Sequence, residues 1–562
     1  MDTRVAWFCS LGLGCLFHAA PLSAQSSGIT PGAPPLSTLP QSASPTPQTS
    51  GPADLQLSRQ LHPQQQAQMQ VAVRQLAIAG VNALPFEEIA SIFQPLAGQT
   101  VTLEQLAQAA GQATTKYKEA GYPLSFVYLP EQSFQNGIVQ VVAVEGYASE
   151  VQLIGDAGKS VDLLQAMARP LMEEKPLRQS TFERQTMLIA SMENLKVAAS
   201  ASMPNNPAGA VPLQLRIDRT PIAFNVTAEL RQGDPKGIAN LTLNDPLWGG
   251  SQLQVSALLD NPEKERFISA SVRQWLNPQG TQMRLSLLDF KGNDNFAQGW
   301  INDISTQRRV EVNVTHPLVL SSTKTSIVGG SLYGSNYAKR YEFPTLGLVV
   351  QDREEVRALQ LTWNGFVQIN RTQHQGNASF TQGIDSLGAG NTRSSNLGAL
   401  PPGEAKFDFS RIAADYSLRH RLAGGLGFAA GIGGQYSPHH LPVTERISFG
   451  GSRYGRGYRG GEAAGDRGLG YSLEASYLFP IKNTKWLTSV EPYVLYEQAK
   501  TWFESSSFVG QELKSSSAGI RLSDGRHYAV DLSISKPQGD PSAVNPERKV
   551  RYSLSLSYQL NP

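Results

Sequence analysis

The stretch Val550-Arg551-Tyr552-Ser553-Leu554-Ser555-Leu556-Ser557-Tyr558-Gln559-Leu560 decides the fold class. Apolar and polar residues alternate along it, which is the pattern of a β-strand with two unlike faces. Its length fits a tilted strand that crosses a bilayer, which takes ~9–11 residues. A tyrosine lies near each end of its apolar face, as is typical of strands that meet the two membrane surfaces. The chain therefore ends in a strand that suits a membrane barrel.

The same alternation continues back to Pro221 and predicts one all-β region over residues 221–562. Counting such runs gives about sixteen strands of about ten residues, an even number and a length that suit a closed antiparallel barrel in lipid. A soluble β-sandwich would alternate too, but strand number, strand length and recurring aromatic residues favour the barrel. Strand bounds are least defined between 340 and 405. A slip of phase near Phe409–Ile412 predicts a β-bulge.

The N-terminus has the pattern of a secretory signal peptide over residues 1–24. A positive flank is followed by the apolar stretch Val5–Phe17 and by Leu22-Ser23-Ala24, a small-residue cleavage site. The apolar stretch is short for a spanning helix, which needs ~20 residues. Both cysteines of the chain, Cys9 and Cys15, lie in this segment. The mature protein would then contain no thiol, disulfide or cysteine-based metal site.

Composition excludes several classes of protein. The 48 Lys+Arg residues nearly balance the 46 Asp+Glu residues, so nothing points to nucleic acid as a partner. Neither a His-Glu-x-x-His nor a Gly-x-Ser-x-Gly motif occurs, and we expect no enzyme activity, cofactor or metal. The pair His439-His440 could bind a metal, but we expect a solvated loop pair.

Residues 25–70 are rich in Pro, Ser, Thr and Gln, a composition that cannot bury enough apolar surface to fold, so we interpret them as a linker. Residues 71–147 instead predict a small α+β module of order β-α-α-β-β. Thr102 and Gln105 form a capping box at the start of its long helix. Its predicted elements are Val71–Ile78, Pro85–Phe93, Leu103–Ala120, Leu124–Leu129 and Ile138–Val144.

The same element order returns over residues 148–219, which indicates a second copy of the module. Ser180 with Glu183 is the predicted cap of its last helix, which runs to Met192. A single larger α+β domain is the alternative. The other predicted elements are Val151–Ile154, Val161–Met172, Leu195–Met203 and Val211–Ile217.

A glycine- and arginine-rich stretch, Phe449–Gly461, interrupts the strands of the β region. Dense glycine lets a backbone turn tightly and pack close to a wall. Its three arginines would be costly to bury without partners but are tolerable in a polar barrel lumen that offers a carboxylate. The alternative is an exposed surface loop.

Here the chain resembles the outer-membrane transporters of two-partner secretion, which belong to the same superfamily as the barrel-assembly proteins. The family's Val-Arg-Gly-Tyr/Phe motif after Gly-Gly is matched by Gly455-Arg456-Gly457-Tyr458 after Gly450-Gly451. The resemblance covers nearly the whole mature chain and implies two POTRA modules and a sixteen-stranded barrel with this loop inside. Further matching segments are Gly434-Gln435, Phe409-Ser410-Arg411, Gly121-Tyr122, Leu129-Pro130-Glu131-Gln132, Asn136-Gly137 and Val144-Glu145-Gly146.

The family pairs the loop arginine with an acid in a Phe-x-Asp-x-Gly strand motif. The candidate here is Leu495-Tyr496-Glu497-Gln498-Ala499. Alternation puts Glu497 on the lumen face if Tyr496 faces lipid. We therefore hypothesise an Arg456–Glu497 pair that anchors the loop, with Gly450, Gly451 and Asp466 as loop support. The alternative is that Glu497 only lines a wet lumen.

The resemblance implies a function and a set of partners. The modules would capture an unfolded exoprotein, an adhesin or cytolysin, by strand addition at Leu124–Leu129 or Leu195–Met203. The barrel would then pass it to the cell surface. The chain would be a monomer in outer-membrane lipid, inserted by the barrel-assembly machinery, with its modules in the periplasm. An outer-membrane insertase and a passive porin are the alternatives.

Many family members carry an N-terminal helix that plugs the barrel. Only about Ala53–Gln70 could be helical here, and Pro63 interrupts that segment. The sequence therefore does not predict a plug helix.

Overall fold

The computed structural model describes residues 34, 36–37, 39–40, 56–58 and 69–560, the last range with gaps at 135, 193–194, 203–207, 232–233, 297–300, 483, 505–509 and 543–544. The predicted signal peptide, its two cysteines and most of the predicted linker lie outside the described residues. Within the linker, Gln56–Ser58 form strand β1.

The first module has the predicted β-α-α-β-β order, with its first strand divided in two. The divided parts serve different sheets, because one pairs with a short strand before the long helix and the other pairs in parallel with the last strand. Its elements are β2 (Gln70–Ala72), β3 (Gln75–Ala79), α1 (Phe86–Phe93), β4 (Thr100–Thr102), α2 (Leu103–Glu119), β5 (Phe126–Tyr128) and β6 (Ile138–Val144). The main sheet has the order β3-β6-β5.

Two sets of polar contacts stabilise the fold of this module. The capping box of α2 is confirmed, since Gln105 N donates to Thr102 Oγ1 at 3.2 Å and Thr102 N donates to Gln105 Oε1 at 2.9 Å. Glu145 accepts from the backbone N–H of Ala83 at 2.7 Å and from the buried Tyr117 hydroxyl at 3.0 Å. Burial, together with the Glu145 carboxylate, raises the pKa of Tyr117 far above its usual value, so the hydroxyl stays protonated and donates.

The second module repeats the order and adds a strand from outside itself. Its elements are β7 (Tyr147–Gly155), α3 (Val161–Ala168), α4 (Pro170–Glu173), α5 (Gln179–Ala190), β8 (Leu195–Ser202) and β9 (Ala210–Arg219). The sheet order is β1-β8-β9-β7, so the linker strand covers the β8 edge. The predicted cap at Ser180 is wrong: α5 begins after Arg178, which makes no side-chain cap.

The second module packs directly on one end of the barrel. Trp275 and Leu320 of the barrel join the buried core of the module. Ser160 Oγ donates to Asp245 Oδ1 at 2.8 Å and accepts from Gly250 N at 2.8 Å, both on a barrel turn. These contacts fix the second module at the end of the barrel where the chain enters it.

The remaining chain forms a closed antiparallel barrel, as predicted. Each of its sixteen wall strands pairs with the next, and the last pairs with the first. Apart from two loop strands, the elements of this region are β10 (Ile222–Arg231), β11 (Asp234–Asn244), β12 (Ser251–Leu259), β13 (Glu265–Trp275), β14 (Gln282–Phe296), β15 (Ile301–Leu320), β16 (Lys324–Phe343), β17 (Leu348–Ile369), β18 (Thr372–Gly383), β19 (Gly390–Ser395), β20 (Gly398–Leu400), β21 (Ser410–Arg421), β22 (Leu426–Tyr436), β25 (Arg467–Tyr477), β26 (Phe479–Pro480), β27 (Ser489–Trp502), β28 (Glu512–Ser523), β29 (Tyr528–Pro537) and β30 (Arg551–Gln559). The hairpin β19–β20 and the short β26 supplement the wall strands.

The wall has an apolar outside and a polar inside. In β30, Tyr552 and Leu556 face outward and are exposed, whereas Ser557 faces the lumen and is buried. A closed wall of this kind leaves no unpaired edge toward lipid. No helix in the described part of the chain is long and apolar enough to span a membrane.

The β-bulge predicted from the sequence is not found at its predicted place. β21 pairs with β18 in continuous register from Ser410 to His420, so the bulge expected near Phe409–Ile412 is wrong. Phe409 precedes the strand and is fully buried on the inside, which explains the break in the alternation. The register shift found in the described wall lies between Pro317 and Val319, where proline cannot donate to the ladder.

Candidate functional site: a loop fastened inside the barrel

The connection from β22 to β25 folds back into the lumen as a hairpin. Its strands are β23 (Ile447–Phe449) and β24 (Ala463–Gly465), which pair antiparallel. The loop side chains Phe449 and Tyr458 are buried against the lumen-facing Ala499 and Leu513. The predicted position of this loop inside the barrel is thus what the structure shows.

Asp466 ties the two ends of the loop together. Its carboxylate accepts from Leu441 N, Glu504 N and His440 Nδ1, each at 2.9 Å. Arg446 Nε lies 3.6 Å from the same group. Burial works to raise the pKa of Asp466, but His440, the backbone N–H groups and Arg446 together hold it below its usual value.

The histidine pair is placed differently from our expectation. His440 is buried beside Asp466, so a solvated loop pair is wrong for this residue. His439 Nδ1 accepts from Ser410 N at 3.2 Å. Within the described ranges, no group of three or more His, Cys, Asp or Glu residues could hold a metal ion.

Glycines let the loop turn and approach the wall. Gly450 and Gly451 have positive φ angles of 111° and 67°, which side chains other than glycine rarely adopt. A Cβ on Gly450 would lie 2.1 Å from Arg459 O, and one on Gly457 would lie 2.8 Å from Pro537 N on the barrel wall. The motif therefore needs glycine at these positions for steric reasons.

Arg456 contacts the wall through two different groups. Its backbone N–H donates to Glu497 Oε2 at 2.8 Å. Its guanidinium donates to the Tyr493 hydroxyl at 2.5 Å and lies 3.4 Å from Asp531 Oδ2. Glu497 faces the lumen and touches the motif, but the hypothesised side-chain ion pair is wrong, because the guanidinium pairs with Asp531 of β29.

The sequence analysis missed the rest of this charged network. Arg521 makes a two-pronged contact with Glu474, at 2.7 and 2.6 Å, and lies 3.5 Å from Asp531. Its guanidinium also stacks 4.0 Å from the centre of the Tyr493 ring. Strand alternation does put Asp531 and Arg521 on lumen faces, and this signal could have found them.

Two further loop residues also contact the wall. Arg453 Nη2 lies 3.1 Å from Asp415 Oδ1 on β21. Glu445, at the start of the loop, accepts from the Tyr333 hydroxyl at 2.8 Å and pairs with Arg411 at 2.9 Å. The loop is therefore fastened to opposite sectors of the wall.

Wall glycines form a recess for one loop ring. A Cβ on Gly470 would lie 2.6 Å from Tyr454 Cδ2, and one on Gly433 would lie 3.0 Å from the Tyr454 hydroxyl. Both glycines face the lumen, on neighbouring strands β25 and β22. The bare backbone at these two positions sets how closely the loop can lie against the wall.

A second occupant of the lumen comes from the linker. Leu36 and Leu39 are buried against Phe267, Leu288 and Phe290. These three wall residues face inward, near the barrel end opposite the modules. The described linker residues there include no helix. Two leucines within a Pro- and Ser-rich stretch were the available signal.

These features define a class of protein. The barrel has a lipid-facing apolar belt, periplasmic α/β modules are packed on one end, and a charged loop is fastened in the lumen. This is the architecture of a POTRA-bearing outer-membrane transporter. Family models sharpen the class: residues 71–146 match the POTRA domain of ShlB type, and residues 305–522 match the haemolysin secretion/activation protein ShlB/FhaC/HecB. The chain is similar to this family over the matched residues, and the matches support a two-partner secretion transporter.

Individual relatives agree. The chain is 20% identical to the heme/hemopexin transporter protein HuxB of Haemophilus influenzae, covering 84% of this chain and 83% of that one. It is also 20% identical to the outer membrane transporter CdiB of Dickeya dadantii, covering 81% of both. The fold matches CdiB from Escherichia coli with a TM-score of 0.62 at 16% identity, covering 89% and 93% of the two chains. It matches BamA from Haemophilus ducreyi with a TM-score of 0.54 at 13% identity, covering 88% and 100%.

Proposed function

We propose that this transporter captures one cognate exoprotein in the periplasm and passes it through the lumen after the fastened loop shifts. The observation that carries the proposal is the loop's attachment. Inside the closed wall, polar contacts hold the loop at three points: Arg456 with Asp531, Arg453 with Asp415, and Asp466 with Arg446. Such contacts are directional and can be exchanged one at a time, whereas an apolar core would have to unpack as a whole.

The first module offers a free edge for capture. In its sheet, β5 pairs with β6 on one side, and no partner lies on its other side among the described strands. An unfolded exoprotein can add an extended segment there through main-chain hydrogen bonds that do not depend on sequence. We therefore place first contact at β5, within the predicted Leu124–Leu129 edge.

The polar lumen suits a chain in transit. Among the lumen-facing residues, Ser286, Ser517 and Ser535 alternate with outward apolar neighbours such as Leu287 and Ile534. Water and hydroxyl groups can satisfy the backbone of an extended polypeptide there, whereas lipid cannot. We also propose that the barrel stands in outer-membrane lipid as a monomer and that the barrel-assembly machinery inserts it.

The cargo is a large secreted protein of the adhesin or cytolysin kind. One relative is named for heme/hemopexin transport, which makes a protein that binds a haem carrier a further candidate cargo. An insertase remains the second candidate function, favoured only by the BamA-like fold.

Gene deletion separates these functions. Comparing secreted, surface and outer-membrane proteins before and after deletion should show loss of one large exoprotein, with other barrels at normal levels. A general loss of barrels would instead identify an insertase. Complementation with the intact gene is the control.

A further inference from the structure

The linker strand β1 closes one edge of the second module. It runs parallel to β8, with Gln56 opposite Ser200 and Ser58 opposite Ser202. The other side of β8 is paired with β9. The second predicted capture edge, Leu195–Met203, is therefore already occupied by the protein's own chain.

This pairing shows what the edge can bind. A strand edge presents a row of backbone N–H and C=O groups and accepts any extended chain that reaches it. The occupying strand is three residues long, shorter than the usual strand of about five or six residues. A longer extended segment would make more ladder hydrogen bonds on the same edge and would outcompete it.

We propose that the β8 edge is a binding site for an extended segment of the exported protein, and that β1 is its resting occupant. This inference rests on the proposed function. The incoming segment displaces Gln56–Ser58, so the site opens only to a polypeptide that pairs better than the linker does.

The same linker also reaches the lumen, so displacement of β1 from β8 affects the linker segment that lies inside the barrel. Leu36 and Leu39 lie on the apolar lumen patch of Phe267, Leu288 and Phe290, and residues 41–55 connect them to β1. An extended chain covers ~3.3–3.6 Å per residue, so this connection of fifteen residues reaches at most about 54 Å. Releasing β1 lengthens the free connection and lets the lumen segment leave its patch.

A disulfide lock tests the exchange. Gln56→Cys with Ser200→Cys joins two residues opposite each other on β1 and β8. Gln152→Cys with Gln214→Cys is the matched control, because it joins opposite residues of the parallel pair β7–β9 without the linker. The chain's own cysteines are Cys9 and Cys15, so the engineered thiols are isolated once the signal peptide is removed.

The expected result has three parts. The linker lock forms on oxidation, lowers the secreted exoprotein by at least about tenfold, and recovers on addition of dithiothreitol. The control lock leaves secretion at the wild-type level. Failure of the linker lock to form, or wild-type secretion with the lock closed, overturns the inference. The proposed function is tested separately: it is wrong if the wild-type strain and the deletion strain secrete the same exoproteins.

Discussion

The carboxylate of Glu497 holds Arg456 by its backbone N–H, at 2.8 Å, and not by its side chain. The loop is thereby fixed at the peptide level, while the Arg456 guanidinium is left to pair with a different strand through Asp531. Backbone position and charge pairing are two separable restraints on one residue.

The charge restraint predicts that Arg456→Ala and Asp531→Asn have similar effects. Each removes the contact between the Arg456 guanidinium and Asp531, and so weakens the charged network that holds the loop against the wall. We expect each to lower export by about tenfold or more and to change single-channel conductance. The double variant should be no worse than either single variant, because residues that act as one pair are not additive. Full export by both single variants would contradict this assignment.

The backbone restraint predicts a different effect for Glu497→Gln. The amide oxygen can still accept from Arg456 N, so the loop stays in place, and export should remain within about threefold of wild type. Glu497→Ala removes the acceptor and should behave like Arg456→Ala. Secretion assays and conductance in planar bilayers check both variants. Equal loss in Gln and Ala variants would show that charge, not the hydrogen bond, is what matters.

The glycine recess predicts a steric effect. Gly470→Ala puts a Cβ 2.6 Å from the Tyr454 ring, and such overpacking costs roughly 1–3 kcal/mol. We expect a lower unfolding temperature of the detergent-solubilised barrel, with recovery when Tyr454→Ala is added. Gly330→Ala on β16 is the control, because its Cβ would have its nearest neighbour at 3.8 Å. A normal unfolding temperature for Gly470→Ala would contradict the packing described.

The joint between module and barrel predicts a proteolytic phenotype. Ser160→Ala removes the hydroxyl that bonds both Asp245 and Gly250 N. Gly250 N still donates to Asp245 Oδ1 at 2.9 Å, so the expected cost is that of the two lost hydrogen bonds, roughly 0.5–1.5 kcal/mol each. The segment before β10 should then be cleaved faster by added protease. Ser191→Ala is the control, since that hydroxyl bonds only within its own helix end, to Leu188 O. Identical cleavage rates would show that the joint does not depend on Ser160.

The lumen segment predicts an electrical phenotype. Leu36→Asp would place a charge among Phe267, Leu288 and Phe290, which is unfavourable without a partner. The segment should leave the patch, and resting conductance should rise. Leu36→Met keeps an apolar side chain of similar volume and should leave conductance unchanged. Unchanged conductance in Leu36→Asp would place the segment outside the conducting path.

The alternation of apolar and polar residues was enough to predict most of the fold. It placed β30 and the lumen face of Glu497 correctly, because a strand has only two faces and lipid selects one of them. It could not identify Asp531 as the partner of Arg456, because choosing among lumen acids depends on where a long loop folds back. Nor could it find β1 on β8, since an edge accepts any extended backbone and leaves no side-chain pattern to recognise.

Transit through the lumen is the central claim, and site-specific photocrosslinking tests it most directly. A photoreactive amino acid at Ser286 faces the lumen of β14, and one at its neighbour Leu287 faces lipid. With an exoprotein stalled during export, we predict adducts from position 286 and none from position 287. Adducts from neither position, or from 287 alone, would show that the exoprotein does not pass through the barrel.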